Sequence, residues 1–258
     1  MIGQLTNRFI SWLKNREFRR VSKLNRFSPF ELSFLGHKML INDNVTFLHS
    51  RKEIFIDEAY KFRSDRRDPF ILDCGANIGL SVLYFKKEFP GSQIIAFEPD
   101  PDLYKILLKN IHSFQLENIQ AIEAACWTEE GTLGFQKEGA HSGSLTNFWD
   151  ESRKIQVRSV NLGKYLNRTV DLLKMDIEGA EYEVLNGIRQ SLRNVKNIVF
   201  EYHSSIQSDQ KLADILSLLK EAGFRYHIKE AFTRSRPLFD KDVMLNMEMQ
   251  LNIYGTRE

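Results

Sequence analysis

The ten residues from Phe70 to Gly79 constrain the fold of this chain more than any other segment. They begin with the apolar run Phe70–Leu72, which ends at Asp73, and glycines follow at Gly75 and Gly79. Apolar residues then recur at helical spacing, at Leu80, Val82, Leu83 and Phe85. This order predicts a buried strand that turns through glycines into a helix. Such a turn can offer backbone N–H groups and a helix N-terminus to a negatively charged group of a ligand.

A second apolar strand, Ile94–Phe97, ends in Glu98 and Pro99. Glu98 follows Gly79 by nineteen residues. An acid at this distance lies at the end of the neighbouring parallel strand, where its carboxylate accepts hydrogen bonds from the two hydroxyls of a ribose. The two motifs together predict a cofactor that carries a nucleoside. The alternative is a glycine turn in an ordinary parallel sheet.

The spacing of the glycines distinguishes among such cofactors. A dinucleotide site needs Gly-x-Gly-x-x-Gly, so that a pyrophosphate can approach bare backbone. Here the first position is Asp73, and the glycines are spaced Gly75-x-x-x-Gly79. A carboxylate repels a pyrophosphate but pairs with an ammonium group, and S-adenosylmethionine carries an ammonium group and no phosphate. It is therefore the predicted cofactor. A Walker-type phosphate loop is excluded because no Gly-Lys-Ser/Thr follows.

Composition and charge narrow the class of protein. The 258 residues fit one large or two small domains, and 42% hydrophobic and 27% charged residues are ordinary for a soluble globular protein. A net charge of +2 gives no argument for nucleic acid as a partner. Cys74 and Cys126 each lie beside an apolar strand, which favours burial over a disulfide. Without a run of eighteen apolar residues or a signal peptide, the sequence predicts a cytoplasmic enzyme.

The N-terminal region is basic and amphipathic. Residues 8–26 contain a single acid, Glu17, and the basic residues Arg8, Lys14, Arg16, Arg19, Arg20, Lys23 and Arg26. An apolar stripe at helical spacing precedes and overlaps them, at Ile2, Leu5, Phe9, Trp12 and Leu13. Such a helix either lies on an anionic membrane, here the inner face, or packs on the domain or a second subunit of a homo-oligomer. Packing is the simpler interpretation.

We divide the chain at Pro69 into an N-terminal extension, residues 1–68, and a cofactor domain, residues 69–258. Beyond the basic helix, the extension is predicted to hold strands at 31–41 and 45–49, joined by a turn at 42–44, and a helix over 52–62. Strands and helices then alternate, which indicates a parallel sheet covered on both faces. Further strands are predicted at 119–125, 132–136, 155–160, 170–175, 195–202, 224–228 and 249–254, with helices from Pro101 and Leu212.

An acidic cluster follows the predicted strand 170–175. Asp176, Glu178 and Glu181 stand within six residues, at the edge of the sheet where ligands bind in α/β proteins. Gly179 lets the backbone turn, and Glu181 either serves the site or interacts with the dipole of the next helix.

Methyl transfer to an alcohol needs a base to remove the proton, or a metal ion to lower its pKa. Asp176 is the predicted base, with Glu178 beside it. Alternatively, Asp176 and Glu201, together with Glu178, supply oxygen ligands to Mg²⁺. His203 is a second possible base. His141, in the loop 140–145, either lines the acceptor pocket or belongs to a mere connection.

Three motifs resemble the FkbM family of S-adenosylmethionine-dependent methyltransferases: Asp-Cys-Gly-Ala-Asn-Ile-Gly at 73–79, Phe-Glu-Pro at 97–99 and Leu-Lys-Met-Asp-Ile-Glu-Gly-Ala-Glu at 173–181. The likeness runs from about residue 52 to about residue 254. It implies an α/β fold of the Rossmann-like class I type, a doubly wound, seven-stranded, mostly parallel sheet with an antiparallel last strand. It also implies O-methylation of sugars or polyketide-type natural products.

The resemblance also assigns residues to roles. The methionine half of the cofactor would be held by Asp73, Gly75, Ala76, Asn77 and Gly79, the ribose by Glu98 with Pro99, and the adenine near Ala125. After Ala125 the chain departs from the family pattern, with Cys126-Trp127-Thr128-Glu129 in place of a small or hydroxyl residue followed by an acid. Asp176 and Glu178 would face the acceptor, and Glu201-Tyr202-His203 resembles the family's acid-x-His strand ending.

The predicted function is O-methyl transfer to a hydroxyl of a sugar, a glycan or a small natural product, without nucleic acid as a partner. A nicotinamide-dependent oxidoreductase is one alternative, which Asp73 and the glycine spacing disfavour. A catalytically inactive cofactor-binding or scaffold protein is another. Intact Asp73, Glu98 and Asp176 argue against loss of activity.

Overall fold

The computed structural model describes residues 18–136, 154–206, 209–233, 236, 238–239 and 247–257. The helices and strands are, in chain order, β1 (Phe30–Phe34), β2 (His37–Ile41), α1 (Asn44–Arg51), β3 (Phe70–Cys74), α2 (Leu80–Glu88), β4 (Gln93–Phe97), α3 (Pro101–Ser113), β5 (Ile119–Ile122), β6 (Ala125–Trp127), β7 (Gly131–Gln136), β8 (Lys154–Asn161), β9 (Val170–Met175), α4 (Glu181–Gly187), β10 (Val195–Ser205), α5 (Leu212–Glu221), β11 (Arg225–Thr233) and β12 (Met247–Thr256). A π-helix spans Lys52–Ile56, and 3₁₀ segments span Leu162–Tyr165 and Ser191–Asn194.

Within the described residues, the central sheet has seven strands in the order β11-β12-β10-β9-β3-β4-β5. Strands β3, β4, β5, β9 and β10 are parallel, whereas β12 pairs antiparallel with both β10 and β11. The chain order reverses between β3 and β9, so the carboxyl ends of these strands flank the crevice where doubly wound sheets bind ligands. The Rossmann-like fold with an antiparallel last strand, expected from the sequence, is confirmed.

The two faces of the sheet are covered by different parts of the chain, because successive residues of a strand point to opposite faces. Leu72, Leu173 and Phe200 belong to one buried apolar cluster, which includes residues of α4 and α5. Ile71, Leu172 and Val199 belong to the other, which contains residues of the hairpin β1–β2, of α1 and of the π-helix. The extension therefore shares a core with the cofactor domain. The boundary between residues 68 and 69 stays a prediction.

A smaller sheet lies beside the central one, in the order β6-β8-β7, with β6 parallel and β7 antiparallel to β8. The predicted strand 119–125 is thereby corrected, because it ends at Ile122 and Ala125 begins a strand of this second sheet. The strands predicted at 132–136 and 155–160 are confirmed as β7 and β8.

The start of α3 was predicted from neighbouring residues alone. Asp100 caps α3, its carboxylate accepting hydrogen bonds from the backbone N–H groups of Asp102 and Leu103, and Pro101 is the first helical residue, as predicted. Cys74 and Cys126 are free and buried, also as predicted. Across the described residues, no helix has both the length and the apolar character that a bilayer span requires.

The extension differs from its prediction in two places. Residues 31–41 are not one strand, because the chain reverses at Leu35 and Gly36 between β1 and β2. Residues 45–49 are helical, because the carboxylate of Asp43 accepts a hydrogen bond from Thr46 N at 2.8 Å and thereby caps α1. The helix predicted over 52–62 is confined to the π-helix Lys52–Ile56. Residues 1–17, which hold most of the predicted basic helix, lie outside the described residues, as does His141.

Asn110 joins the hairpin to the cofactor domain. Its amide nitrogen donates to the carbonyls of Leu40 and Ile78, at 3.0 and 2.8 Å, and its amide oxygen accepts from Leu40 N at 2.8 Å. We expect Asn110→Ala to lower the free energy of unfolding by about 1–3 kcal/mol, because these buried groups lose their partners. Urea unfolding measures the change, with Lys109→Ala at the neighbouring exposed position as the control. Equal stability of the two variants would contradict this role of Asn110.

Candidate active site

The glycine loop, residues 75–79, connects β3 to α2 through backbone that favours glycine. The φ angles of Gly75, Asn77 and Gly79 are +84°, +49° and +93°. A Cβ atom on Gly75 would lie 1.9 Å from the backbone oxygen of Asp176, and one on Gly79 would lie 2.8 Å from Leu107 Cδ1. Gly75 is therefore required both by its conformation and by the close approach of the chain that follows β9.

Every backbone N–H group of the glycine loop donates to an acceptor within the protein. The donors and acceptors are Gly75 and Ala76 to Phe97 O at 3.0 and 2.9 Å, Asn77 to Glu98 Oε2 at 2.7 Å, Ile78 to Asn77 Oδ1 at 2.7 Å and Gly79 to Ala76 O at 2.8 Å. These N–H groups therefore have protein acceptors in this structure, and binding of an anionic ligand group at the turn and the helix N-terminus stays a prediction. The acceptors are Phe97 O at the end of β4, the carboxylate of Glu98, and two groups of the loop itself.

Asp73 faces a cation of the protein. Its side chain is fully buried, Oδ1 lies 3.2 Å from Lys174 Nζ, and Oδ2 accepts a hydrogen bond from Ser81 Oγ at 2.5 Å. The ammonium group predicted to pair with Asp73 is thus supplied here by Lys174. A contact between Asp73 and a cofactor stays a prediction.

Lys174 ties β9 to the start of the glycine loop. Its ammonium group donates to Gly75 O at 2.6 Å and to Cys74 O at 3.4 Å. Its side chain is 3% exposed, so its hydration is lost and the protein must supply all its partners. Burial by itself would lower the pKa of Lys174, but the carboxylates of Asp73 and Asp176 raise it above its ordinary value. The lysine is therefore a permanent cation beneath the loop.

Glu98 lies where the sequence predicted it, at the end of β4. Its Oε2 accepts from Asn77 N and its Oε1 accepts from Asp100 N, at 2.7 and 2.9 Å. Each carboxylate oxygen has two lone pairs, so both retain capacity for a hydroxyl of a ligand. Burial raises the pKa of Glu98 to about 8, although the two backbone hydrogen bonds act in the opposite direction.

A cleft runs from Glu98 to Asp176. Its lining consists of Gly75, Glu98, Pro99, Ala124, Ala125, Cys126, Phe135, Asp176, Ile177 and Glu178. Gly75, Glu98, Pro99 and Ala125 were predicted as cofactor residues, and the structure brings them together around this cleft. Its apolar part, with Ala125 and Phe135, suits a flat aromatic base, and its polar ends suit hydroxyl and amino-acid groups. The lining therefore combines the apolar and polar groups that a nucleoside attached to a short polar chain would need.

The register of the central sheet places Asp176 and Glu201 next to each other at the ends of neighbouring strands. Met175 pairs with Cys74 on one side and with Phe200 on the other, and Glu201 pairs with Asn252 of β12. The residues one step beyond Met175 and Phe200 are Asp176 and Glu201, which therefore follow neighbouring positions at the carboxyl end of the sheet. Asp176 N donates to Cys74 O at 3.0 Å, which fixes the start of the loop after β9.

His203 is enclosed by what we term the carboxylate cluster, namely Asp176, Glu178, Glu181 and Glu201. Its Nδ1 lies 3.2 Å from Glu181 Oε1, and its Nε2 lies 3.3 Å from Glu178 Oε2 and 4.0 Å from Glu201 Oε2. The amide nitrogen of Gln250 is placed 3.2 Å from Nε2, and a turn of that amide would present its oxygen instead. Both ring nitrogens therefore face carboxylates.

This arrangement favours a positively charged imidazole. Burial alone would lower the pKa of His203, but the carboxylates of Glu178 and Glu181 raise it well above its ordinary value. Burial also raises the pKa of Glu178 well above the usual range, with His203 opposing the shift. Burial, followed by the charge of Asp176, raises the pKa of Glu201 to about 8. The cluster therefore retains protons at neutral pH.

The backbone conformation around Glu178 and Glu181 fixes the positions of these two side chains. Glu181, in the first turn of α4, accepts a hydrogen bond from Gly179 N at 3.0 Å and is 1% exposed. Glu178 has a φ of +55° and Gly179 a φ of +97°, which turns the chain sharply after Ile177. Left-handed backbone costs a non-glycine residue about 1–2 kcal/mol, so the fold maintains the position of Glu178 against strain.

Asp176 differs from its neighbours because Oδ1 is buried and has no hydrogen-bond partner within the described part of the chain. Asp176, Glu178 and His203 each offer one atom that could ligate a metal ion, and these atoms lie within 4.8 Å of one another. The sequence had predicted Asp176 and Glu201, together with Glu178, as ligands of Mg²⁺, and had not included His203. Metal binding stays a prediction.

The sequence analysis did not identify four polar residues of this region, namely Lys174, Glu53, Tyr60 and Asn252. Asn252 Nδ2 donates to Glu53 Oε1 at 2.9 Å, which joins the π-helix to the row at the sheet edge. Tyr60 covers Lys174, with Nζ 5.7 Å from the ring centroid. Lys174 could have been found from the sequence, because a lysine inside an apolar strand indicates that its ammonium group has a buried partner. No local pattern connected Glu53 or Tyr60 with the site.

Comparisons with known proteins identify the family and the fold. A family model described as the methyltransferase FkbM domain matches residues 73–226. Methyltransferase 1 of Beauveria bassiana is 30% identical over 206 residues, which cover 70% of this chain and 81% of that protein. The 2-O-methyltransferase NoeI of Sinorhizobium fredii is 26% identical over 171 residues, covering 57% and 67%. The crystal structure of M. jannaschii TYW2 in complex with AdoMet superposes with a TM-score of 0.50 at 12% identity, covering 91% of this chain and 89% of that one, which shows the fold alone.

Proposed function

This chain belongs to the FkbM methyltransferase family, and we propose that it uses S-adenosylmethionine to methylate a hydroxyl group of a sugar, a glycan or a related natural product. The observation that carries the proposal is Asp176, whose Oδ1 is buried without a partner in the described structure, beside the cleft. An acceptor hydroxyl would satisfy this oxygen. The name of the relative NoeI, a 2-O-methyltransferase, supports oxygen as the acceptor atom.

Different residues of the cleft would bind different parts of the cofactor. The cofactor, when bound, supplies a methyl group made electrophilic by the sulfonium to which it is attached. Glu98 would accept the ribose hydroxyls, and the wall formed by Ala125 and Phe135 would contact the adenine. Gly75 would allow the amino-acid half to approach the backbone between β3 and β9, where a side chain would collide with Asp176.

Asp176 would act as the base. The acceptor O–H bond breaks, its proton passes to the Asp176 carboxylate, and the oxygen forms its bond to the methyl carbon as the bond from that carbon to sulfur breaks. Most of the acceleration should come from holding the two reactants in line. His203 was the alternative base, but an imidazolium between Glu178 and Glu181 has no lone pair with which to accept a proton. We therefore assign it to positioning the cluster.

Two alternatives are less well supported. A nicotinamide dinucleotide needs free backbone N–H groups for its pyrophosphate, and those of residues 75–79 already have protein acceptors. Mg²⁺ prefers oxygen ligands, and the nitrogen ligand in the group Asp176, Glu178 and His203 lies between two carboxylates. Retained activity after treatment with a chelator would exclude a required ion.

We expect S-adenosylhomocysteine to stabilise the protein against unfolding by about 2.7 kcal/mol at a hundredfold excess over Kd. NAD and NADP should have no effect, because the glycine loop has no free donors for phosphate. Thermal melts with each compound measure the difference. A shift with NAD or NADP alone would reverse the choice of cofactor.

The reaction itself is tested with a methyl-labelled donor and an acceptor panel. Neutral methyl glycosides of glucose, galactose, fucose and rhamnose provide hydroxyls in several arrangements. Label in an O-methyl product supports the proposal. If the cofactor binds but label appears only on nitrogen or carbon of other acceptors, methyl transfer stands and the hydroxyl assignment fails.

A further inference from the structure

Tyr60 lies before the region that the family model matches, yet it is packed against the active site. Its side chain is 8% exposed, and its ring contacts Phe85 with centroids 6.1 Å apart. On the other side, Lys174 Nζ lies 5.7 Å from the ring centroid. Tyr60 follows the π-helix Lys52–Ile56, an irregular element that is frequent at functional sites.

The Tyr60 residue is 8% exposed, and its hydroxyl forms no hydrogen bond with any described residue. Unlike the hydroxyl of Tyr84, it is not one of the fully buried unpartnered atoms, so it has access to solvent. Buried tyrosines usually find a partner for this group. The charged groups around it are carboxylates from β3, the π-helix, β10 and the loop after β9, together with the Lys174 ammonium of β9. Burial, followed by the charges of Asp176, Glu53, Glu201 and Asp73, raises the pKa of Tyr60 well above its ordinary value. The hydroxyl therefore keeps its proton and can donate it in a hydrogen bond.

We propose that Tyr60 is an acceptor-binding residue, whose phenolic O–H donates a hydrogen bond to an oxygen of the acceptor beside the reacting hydroxyl. The inference rests on the proposed function. Asp176 accepts at one oxygen of the acceptor, and Tyr60 donates at a neighbouring one, so the two residues together recognise a polyhydroxy compound. The N-terminal extension then completes the acceptor site and contributes to specificity.

Tyr84 provides a matched control. It is also a buried tyrosine, 1% exposed, with a hydroxyl that has no partner among the described residues. It lies on α2, and after burial the charges that raise its pKa, to about 12, are those of Glu88 and Glu58, which are not in the carboxylate cluster. Tyr60→Phe and Tyr84→Phe therefore remove the same atom from two buried rings, of which only Tyr60 lies beside Lys174 and near the charges of Asp176 and Glu201.

The test compares the two variants with the wild-type protein. We expect Tyr60→Phe to lower kcat/KM for the methyl glycosides about tenfold, mainly through KM, because one hydrogen bond to the acceptor is lost. The Kd for S-adenosylhomocysteine and the melting temperature should stay unchanged. Tyr84→Phe should match the wild type in all these measurements.

Binding of the same glycosides to the S-adenosylhomocysteine complex, observed by saturation-transfer NMR, gives a readout that does not need turnover. Weaker binding to Tyr60→Phe than to Tyr84→Phe supports the inference. Equal kcat/KM and equal binding in the two variants overturn it and leave the proposed function intact. If the wild type neither methylates nor binds any of the glycosides, the sugar hydroxyl assignment fails, and with it this role of Tyr60.

Discussion

Asp176→Asn should reduce kcat about a thousandfold while changing the Kd for S-adenosylhomocysteine by no more than a few-fold. Asparagine keeps the shape of aspartate but does not take a proton from an alcohol, and a positioned base contributes roughly 10²- to 10⁴-fold to the rate. The backbone of Asp176 should hold its place, because its N–H donates to Cys74 O irrespective of the side chain. Single-turnover transfer of labelled methyl and calorimetric titration measure the two quantities.

The control for this substitution is Asp214→Asn, at an exposed position of α5, which should leave kcat unchanged. Full activity in Asp176→Asn would remove this carboxylate from the mechanism. The wild type assayed after chelator treatment separates the two roles of Asp176. A base acts without a metal ion, whereas a ligand of Mg²⁺ loses its function when the ion is withdrawn.

Lys174→Met should destabilise the fold by about 3–5 kcal/mol, because it leaves the carboxylate of Asp73 buried without its cation. The same substitution removes the donor to Gly75 O, so we also expect weaker binding of S-adenosylhomocysteine. Methionine keeps the length and apolar stem of the lysine, which separates the loss of charge from a loss of packing. Denaturant unfolding measures the stability change.

The double variant Asp73→Asn/Lys174→Met is the control for this second prediction. It removes both charges and should recover much of the stability lost in Lys174→Met, since a buried pair can be replaced at little cost when both partners change. If the double variant is as unstable as the single one, the lysine acts through packing and not through its ion pair with Asp73.

The elements predicted best from sequence are those set by local interactions. Apolar runs and glycines predicted β3, β4 and β9, and Asp100 with Pro101 predicted the start of α3, because each signal lies within the element it controls. The location of the site at one edge of the sheet was also predicted, since parallel strands bring their carboxyl ends to the same edge.

Several contacts around the site were not predicted because they join residues that are distant in sequence. The pairing of Asp73 with Lys174 was not predicted, because it depends on the register of β3 against β9. In the glycine loop, the N–H groups of Gly75, Ala76 and Asn77 donate to Phe97 O of β4 or to Glu98, more than twenty positions away, and the other two donate within the loop. Glu53 accepts a hydrogen bond from Asn252, which lies 199 positions away, so that no local sequence pattern could predict this contact.

The occupied N–H groups of the glycine loop have a consequence for selectivity in a cell. ATP, ADP and other phosphorylated metabolites share the adenosine part of the donor molecule and compete for any crevice built to hold adenosine. We expect residues 75–79 to offer their phosphates no hydrogen bonds in return for lost water, because each N–H group already has a protein acceptor. We therefore expect discrimination to come from occupied donors and not from a steric barrier, so that a wider pocket should not relax it.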